Sequence, residues 1–250
     1  MLQLDLSSNE LSLAHNNLED EGTKAICEAL EQNTTLKELD MSGGCNIGGA
    51  AGAKHVAKML GVYGGLTKLS LAQNKLKEEG TKAICEALEQ NTTLKELDIS
   101  GRYEGNIGGS AGAKHVAKML GVNGALTSVD LRGNQLRDEG WGAIFAAICG
   151  NKDSKIIAMD ASSENISPAG VKLIAEALRT SVTGALTQVL AFCAPPHLNN
   201  LFQSNLCLCF EYCSWTSPTT CCAASILMAM ELTPQRASQR LPTLCASMAG

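Results

Sequence analysis

Residues 23–40 and 81–98 have the same sequence, TKAICEALEQNTTLKELD. The similarity extends outward, because CNIGGAAGAKHVAKMLGV at 45–62 returns as GNIGGSAGAKHVAKMLGV at 105–122. A tandem copy of this kind is typical of folds in which similar units stack and each unit contacts only its neighbours. The sequence therefore predicts a repeat protein, and proteins of that kind usually act by presenting a surface.

Two patterns alternate along the repeated part of the chain. The first is a period-two apolar stretch followed by Asn, as in LTKLSLAQNKL at 66–76 and LTSVDLRGNQL at 126–136. Alternating leucines point to one side of a short strand, and the Asn is expected to bond to the backbone of the turn and of the neighbouring unit. The second pattern is a helix template, Gly-x-x-x-apolar-small-x-x-apolar, whose apolar residues lie four apart and cover one helical face. It begins at Gly22, Gly52, Gly80, Gly112, Gly140 and Gly170.

These two patterns together resemble a known class of repeat. LxxLxLxxNxL followed by a GxxxLAxxL helix, at about 28–30 residues per unit, is similar to the ribonuclease-inhibitor-like leucine-rich repeats. Cytosolic NOD-like receptors and Ran GTPase-activating protein have similar repeat arrays. The resemblance implies an α/β leucine-rich-repeat solenoid, a horseshoe with parallel strands on the concave face and helices on the convex face. The resemblance covers roughly residues 4–190, and the predicted leucine-rich-repeat domain is residues 1–190, with about six repeats of which the first is truncated.

Composition and charge exclude several classes of function. A net charge of −5 and a pI near 5.4 disfavour binding to nucleic acid. No apolar run approaches the roughly 20 residues that span a bilayer, and MLQLDLSSNE at the N-terminus lacks the regions of a secretory signal. These observations favour a cytoplasmic protein without a membrane partner. Cys27 and Cys85 are then expected to be reduced core residues, and the sequons at Asn33, Asn91 and Asn165 are expected to be unused.

Both ends of the chain depart from the repeat pattern. Residues 2–18 hold two strand signatures with no helix between them, which predicts a lost half-repeat, a fragment or an imperfect gene model, with an open sheet edge. Residues 191–250 form a Cys/Pro-containing non-repeat tail, expected to be poorly ordered and plausibly mis-spliced or frame-shifted. Cys207, Cys209 and Cys213 do not have the usual zinc-ligand spacing, so unpaired cysteines are favoured over a metal site.

The strongest candidate site is the inner face of the sheet. Residues that flank the buried leucines are expected to point there, and acids outnumber bases among them, so a protein with a basic segment is the natural partner. The alternative is that an Asp after the second leucine only solvates the strand. The predicted protein-binding residues are Glu38, Asp40, Ser42, Lys68, Ser70, Glu96, Asp98, Ser100, Ser128, Asp130, Arg132 and Asp160, with Ser162 beside them.

Other conspicuous residues have simpler explanations. GWGAIFAAICG at 140–150 carries no charge, which favours a buried helix with Trp141 filling a gap between repeats over packing against the tail or a partner. His55 and His115 recur because the block was copied, and no nucleophile with a recurring acid accompanies them. The glycine-rich turns at 43–52 and 105–112 lack the ending of a phosphate-binding loop, so their expected role is turn geometry. No cofactor, metal or catalytic residue is predicted.

The sequence therefore favours a non-catalytic protein-interaction scaffold, of the kind found in the sensor part of NOD-like receptors. A GTPase-activating regulator like Ran GTPase-activating protein is one alternative, although no catalytic motif of that protein can be placed here. A fragment without independent function is the other. The sequence leaves the partner and the oligomeric state open.

Overall fold

The computed structural model describes residues 3–5, 9–44, 46–102, 105–161, 164–182 and 188–190. In these ranges three-residue strands alternate with helices of 12 to 14 residues. The strands are β1 (Gln3–Asp5), β2 (Glu10–Ser12), β3 (Glu38–Asp40), β4 (Lys68–Ser70), β5 (Glu96–Asp98), β6 (Ser128–Asp130), β7 (Ala158–Asp160) and β8 (Gln188–Leu190). The helices are α1 (Glu19–Glu31), α2 (Ala50–Val62), α3 (Lys77–Leu88), α4 (Gly109–Leu120), α5 (Arg137–Gly150) and α6 (Pro168–Arg179).

The strands are ordered as the chain runs. β2 to β6 are parallel, and residues at equivalent repeat positions are partners, as Leu39, Leu69 and Leu97 are. β7 and β8 form a second parallel pair. The expected parallel arrangement is wrong at one place, because β1 is antiparallel to β2. Only four residues separate Asp5 from Glu10, whereas a parallel crossover needs about a dozen or more. The truncated first repeat is therefore a hairpin strand that covers the edge of β2.

One hydrophobic core runs between the sheet and the helices. The middle residues of β3 to β7, such as Leu69, and apolar helical pairs such as Ile84 with Leu88 are almost fully buried. The glycine of the helix template is required by close approach, since a Cβ at Gly52 or Gly112 would overlap the main chain of the preceding turn. Each unit therefore buries its apolar face against its neighbours, as the resemblance implied.

The Asn that follows each strand from β3 to β6 makes the bonds predicted from the sequence. Asn74 donates to the carbonyl of Met41 in the preceding unit at 2.9 Å and accepts from the main-chain N–H of Ile47 at 3.0 Å. Asn46, Asn106 and Asn134 are buried in equivalent positions and bond in the same way. Because every amide is fully used, these residues connect the units through their polar groups.

Helix α5 begins at Arg137, so its first turn carries charges that lie before the apolar segment. Trp141 and Phe145 are fully buried, with ring centroids 6.2 Å apart. This burial confirms the interpretation of α5 as a core helix. The glycine-rich turns lead into α2 and α4, where Gly49 and Gly108 have positive φ angles as turn geometry requires. No helix in the described ranges is both long and apolar enough to cross a membrane.

Candidate protein-binding surface

In β3, β4, β5 and β6 the middle residue is buried. The two flanking side chains point away from the core. Parallel pairing in register therefore aligns these side chains in two rows across the sheet, with neighbours about 4.8 Å apart. The first row contains Glu10, Glu38, Lys68, Glu96 and Ser128. The second row contains Ser12, Asp40, Ser70, Asp98 and Asp130. We call these two rows, together with Arg132, Asp160 and Glu164 beside β6 and β7, the acidic sheet face.

The only base of the first row is held between two acids. The Lys68 ammonium lies 3.5 Å from Glu38 and 3.7 Å from Glu96. The charge of Glu38 is the main influence that raises the pKa of Lys68, with partial burial acting against it. All three side chains remain substantially exposed, so these pairs are worth little to stability. Lys68 thus offsets only part of the negative charge of the row.

The aspartates of the second row have a structural role as well as a charge. Asp98 accepts from the backbone N–H of Ser100 at 2.9 Å and lies 3.3 Å from the hydroxyl of Ser70. Asp40 makes the same two contacts with Ser42 and Ser12 at 2.9 and 3.4 Å. In both units the carboxylate accepts from the backbone N–H two residues later and so stabilises the turn after the strand. This role explains why Asp recurs after the second leucine. Its second oxygen accepts from the serine hydroxyl of the preceding strand.

A denser group of charges lies where β6 meets β7. Arg132 makes paired hydrogen bonds to Asp130, with Nε–Oδ1 at 3.0 Å and Nη2–Oδ2 at 2.6 Å, and its Nη1 lies 3.8 Å from Asp160. Burial acts to raise the pKa of Asp130, but the side-chain and backbone hydrogen bonds from Arg132 lower it below its ordinary value. Asp130 is therefore a firmly ionised carboxylate that holds Arg132 in place.

Two acidic residues of this surface were not predicted from the sequence. Glu10 belongs to the first row by its register with Glu38. Glu164 accepts from the backbone N–H of Gly133 at 2.6 Å. Burial raises the pKa of Glu164, and the charges of Asp160 and Asp130 add to this effect, while the Gly133 hydrogen bond and the proximity of the Trp141 indole oppose it. The alternation in residues 10–12 could have indicated Glu10, and the repeat pattern could have indicated Glu164, which stands at the position that Asn74 and Asn134 occupy in earlier units.

The predicted binding residues differ in how far they are exposed on this surface. Lys68, Glu96 and Ser128 are exposed, as is Arg132, and the other described members of the predicted set are partly exposed. Ser42 and Ser100 lie at the turns and serve mainly through their backbone N–H groups. Ser162 lies outside the described residues, as do the cysteines of residues 191–250.

The cysteines, histidines and sequon asparagines that the structure describes outside the sheet have local roles. Cys27 and Cys85 are buried free thiols, and burial raises the pKa of each to about 12. His115 lies 3.6 Å from Glu78 at the partly exposed edge of its helix. Asn33 and Asn91 use their side-chain oxygens to bond the backbone of the following turns. Among the residues that the structure describes, no cluster of His, Cys, Asp or Glu is suited to a metal ion.

A stack of strand–turn–helix units with an exposed parallel sheet defines a leucine-rich-repeat solenoid, and the chain is similar in sequence to leucine-rich-repeat proteins of the ribonuclease-inhibitor-like class. The family described as "Leucine Rich repeat" matches residues 9–27, 32–54 and 125–145. Ribonuclease inhibitor of Sus scrofa is 36% identical over 141 residues, which cover 56% of this chain and 30% of that protein.

Other similar proteins come from different functional classes. NACHT, LRR and PYD domains-containing protein 13 of Homo sapiens is 32% identical over 54% of this chain and 12% of its own length. RAN GTPase-activating protein 2 of Arabidopsis thaliana is 33% identical over 50% of this chain and 22% of its own length. The chain thus spans less than a third of each of these relatives. Among solved structures, the actin-binding site 2 of leiomodin-1 has a TM-score of 0.50 and 25% identity over 60% of this chain and 83% of that one.

Proposed function

We propose that the chain is a non-catalytic protein-binding scaffold whose acidic sheet face takes a basic segment of a cytoplasmic protein partner. Support comes from relatives whose names describe an inhibitor of ribonuclease and from a structural neighbour named for binding actin, since both act on proteins. A sheet that is exposed along several units offers the extended surface on which repeat proteins bind their partners.

The excess of acids on the sheet is the observation that carries this proposal. Both bases of this surface, Lys68 and Arg132, are already paired with carboxylates of the same sheet. The acids in excess are spread over β2 to β7, so their fields add in the concavity and attract positive charge. Complementary charge of this kind mainly increases the association rate and the specificity, and it is weakened by salt.

A charge-reversal experiment tests the proposal. The variant Glu38→Lys, Asp40→Lys, Glu96→Lys, Asp98→Lys should lose binding to an immobilised peptide of repeated Gly-Ser-Arg units and should retain different proteins from a cell extract. A matched control reverses four exposed acids on α1 and α3, Glu21, Glu28, Glu79 and Glu86, and changes the net charge equally. Equal loss in both variants would mean that only net charge matters, and unchanged binding in the sheet variant would remove the proposal.

A second variant tests whether any loss of binding is caused by loss of folding. Asp40→Asn and Asp98→Asn keep an oxygen that can accept the Ser42 and Ser100 N–H groups, and Glu38→Gln and Glu96→Gln keep side-chain size. This neutral set should weaken peptide binding less than the reversed set, with an unchanged far-UV circular dichroism spectrum. Intact binding by the neutral set would contradict a charge-driven interaction.

A GTPase-activating regulator is the second candidate function, because the similarity to RAN GTPase-activating protein 2 covers half of this chain. Purified protein would be assayed for stimulation of GTP hydrolysis by a Ran-type GTPase. Stimulation that is abolished by Asp98→Ala or Asp130→Ala would favour this candidate. If micromolar protein does not stimulate GTP hydrolysis, this candidate is removed and the scaffold function remains.

A further inference from the structure

The lysine of the first row shows how this sheet holds a cation. Lys68 on β4 lies between acids of the two neighbouring strands, with its ammonium group 3.5 Å from Glu38 on β3 and 3.7 Å from Glu96 on β5. The three residues are register partners, so the two acids stand about 9.6 Å apart along the row with the lysine midway. An ammonium group is therefore held here by one carboxylate from the strand on each side.

The second row repeats this arrangement without the lysine. Asp40 on β3, Ser70 on β4 and Asp98 on β5 are register partners as well. The two acids belong to the copied LKELD segments at 36–40 and 94–98, so both rows have a matching pair of flanking carboxylates. The strand between them reads Lys-Leu-Ser, which places a small side chain where the first row has a cation. The position above Ser70 thus lies between two carboxylates of neighbouring strands.

Three oxygen atoms border the position above Ser70. Asp98 Oδ2 accepts from the Ser70 hydroxyl at 3.3 Å, and Asp40 Oδ2 accepts from the hydroxyl of Ser12 at 3.4 Å. Strong hydrogen bonds from a hydroxyl to a carboxylate are shorter, at about 2.6 Å, so an incoming cation can replace these contacts without breaking a strong bond. The Oδ1 atoms of both acids accept from backbone N–H groups of the turns at 2.9 Å. These bonds hold the two carboxylates in place.

We propose that the position above Ser70 binds one lysine side chain of the partner, between the carboxylates of Asp40 and Asp98. We call this position the lysine site. It rests on the proposed function of the acidic sheet face and assigns that face a specific contact. An ammonium group has three donors, which match the two Asp Oδ2 atoms and the Ser70 hydroxyl oxygen. Arginine fits less well, because its planar group bonds best to a single carboxylate through two parallel hydrogen bonds.

The charges around the lysine site favour a cation. Lys68 lies two residues away on the same strand and repels an incoming lysine, but Glu38 and Glu96 offset its charge. Asp130 is the next acid of the second row, and it is paired with Arg132. The strands β3, β4 and β5 together carry four acids and one base, so net negative charge remains beside the lysine site.

Filling the lysine site from within the chain tests the proposal. Ser70→Lys introduces an ammonium group with an acid on each side, so it should weaken binding of a peptide of repeated Gly-Ser-Lys units about tenfold at low salt. Ser128→Lys is the matched control, because it adds the same charge next to Glu96, which is already paired with Lys68. This control should weaken binding less than about threefold. Fluorescence anisotropy of a labelled peptide measures both affinities.

A second pair of variants keeps the test decisive if Ser70→Lys disturbs the fold. Asp98→Asn keeps an oxygen for the backbone N–H of the turn and removes one charge of the lysine site, so affinity should fall about five- to tenfold. Glu10→Gln removes one charge from the first row and should weaken binding less than about twofold. Both variants should keep the far-UV circular dichroism spectrum of the parent chain. A Gly-Ser-Arg peptide should bind the parent chain more weakly than the Gly-Ser-Lys peptide.

The outcomes separate the lysine site from the general proposal. Equal weakening by the two lysine variants, or by the two neutral variants, would overturn the lysine site and leave the acidic sheet face as the binding surface. Binding of the Gly-Ser-Arg peptide as tightly as the Gly-Ser-Lys peptide would overturn the choice of lysine. Equal binding of a peptide with acetylated lysines would overturn the need for a cation. If neither basic peptide binds at low salt, both proposals are removed.

Discussion

Asn134 and Asn106 are linked through the backbone of the turn that joins their units. The side-chain oxygen of Asn134 accepts from the main-chain N–H of Asn106 at 2.6 Å, and the Asn106 oxygen accepts in turn from the N–H groups of Asn74 and Leu76. A buried hydrogen-bond network therefore continues from each unit to the next. The apolar core alone would allow neighbouring units to slide, whereas this network fixes their register.

Replacing one link of this network should be strongly destabilising. Asn106→Ala removes two donated bonds, to the carbonyls of Leu71 and Ile99, and leaves the N–H groups of Asn74 and Leu76 buried without an acceptor. We expect a loss of about 2–4 kcal/mol in the free energy of unfolding, measured by urea denaturation. Asn16→Ala, at an exposed Asn, should change it by less than about 1 kcal/mol. Equal effects at the two sites would contradict the network.

The sequence predicted this network because Asn recurs at a fixed distance from the strand. It also predicted the rows of the acidic sheet face, because period-two alternation determines which strand residues leave the core. The antiparallel β1 was missed, since its residues have the same pattern as a parallel strand and only the short connection distinguishes them. The contacts of Glu164 were missed for a different reason. Glu164 stands at the repeat position that Asn74 and Asn134 occupy, so the period places it at the joint, but a search for the recurring Asn does not find a Glu in that position.

The two copied cysteines should be almost unreactive in the folded protein. Burial raises the pKa of Cys85 and Cys27 to about 12, so at pH 8 only about 10⁻⁴ of either thiol is the reactive thiolate. Mass spectrometry after treatment with iodoacetamide should find both unmodified, and modified when urea is added. Labelling of either residue in native protein at the rate of a free thiol would show that α1 or α3 opens readily.

The same pKa shifts have a consequence for stability at high pH. A thiol that holds its proton more tightly in the folded state stabilises that state below the ordinary value of 9.0, and this contribution is lost as the pH rises toward about 12. Cys85→Ala should therefore flatten the decline of the unfolding midpoint between these limits. A decline identical to that of the parent chain would indicate that other groups cause it.

Lys68 should limit binding to the acidic sheet face without supporting the fold. Its ion pairs with Glu38 and Glu96 are exposed, so Lys68→Ala should change the free energy of unfolding by less than about 1 kcal/mol. Removing the competing cation should strengthen binding of the Gly-Ser-Arg peptide severalfold at low salt, with the gain shrinking as salt is added. Lys82→Ala on α3 is the control, because it removes an equal charge from the helix side. A comparable gain in both variants would assign the effect to net charge.

Residues 1–190 should unfold as a cooperative unit. Core contacts and Asn bonds connect successive units from β2 to β6, so no described unit in this range is isolated from its neighbours. A single sharp thermal transition, followed by circular dichroism, is the expected result. A gradual change without a transition would instead favour a fragment that lacks independent stability.

The two copies of the repeated block differ at a coupled pair of positions. Asn123 lies on a second chain of buried amides at the helix ends, where it donates to the carbonyls of Leu88 and Asn91. Tyr63 replaces it in the first copy and donates its hydroxyl to the carbonyl of Leu36 at 2.5 Å. The residue two positions later changes at the same time, because Gly65 in the first copy corresponds to Ala125 in the second. A Cβ at Gly65 would overlap the Tyr63 ring and hydroxyl, which explains the glycine.

A double-mutant cycle tests this coupling. Gly65→Ala should destabilise the protein by about 1–3 kcal/mol, because the Tyr63 ring must leave its buried bond to Leu36. Tyr63→Asn should also destabilise it, since the smaller side chain leaves a cavity. The double variant reproduces the second copy and should recover at least about 1 kcal/mol relative to the sum of the single changes. Urea denaturation of the four proteins measures the coupling, and strictly additive effects would show that the two positions differ independently.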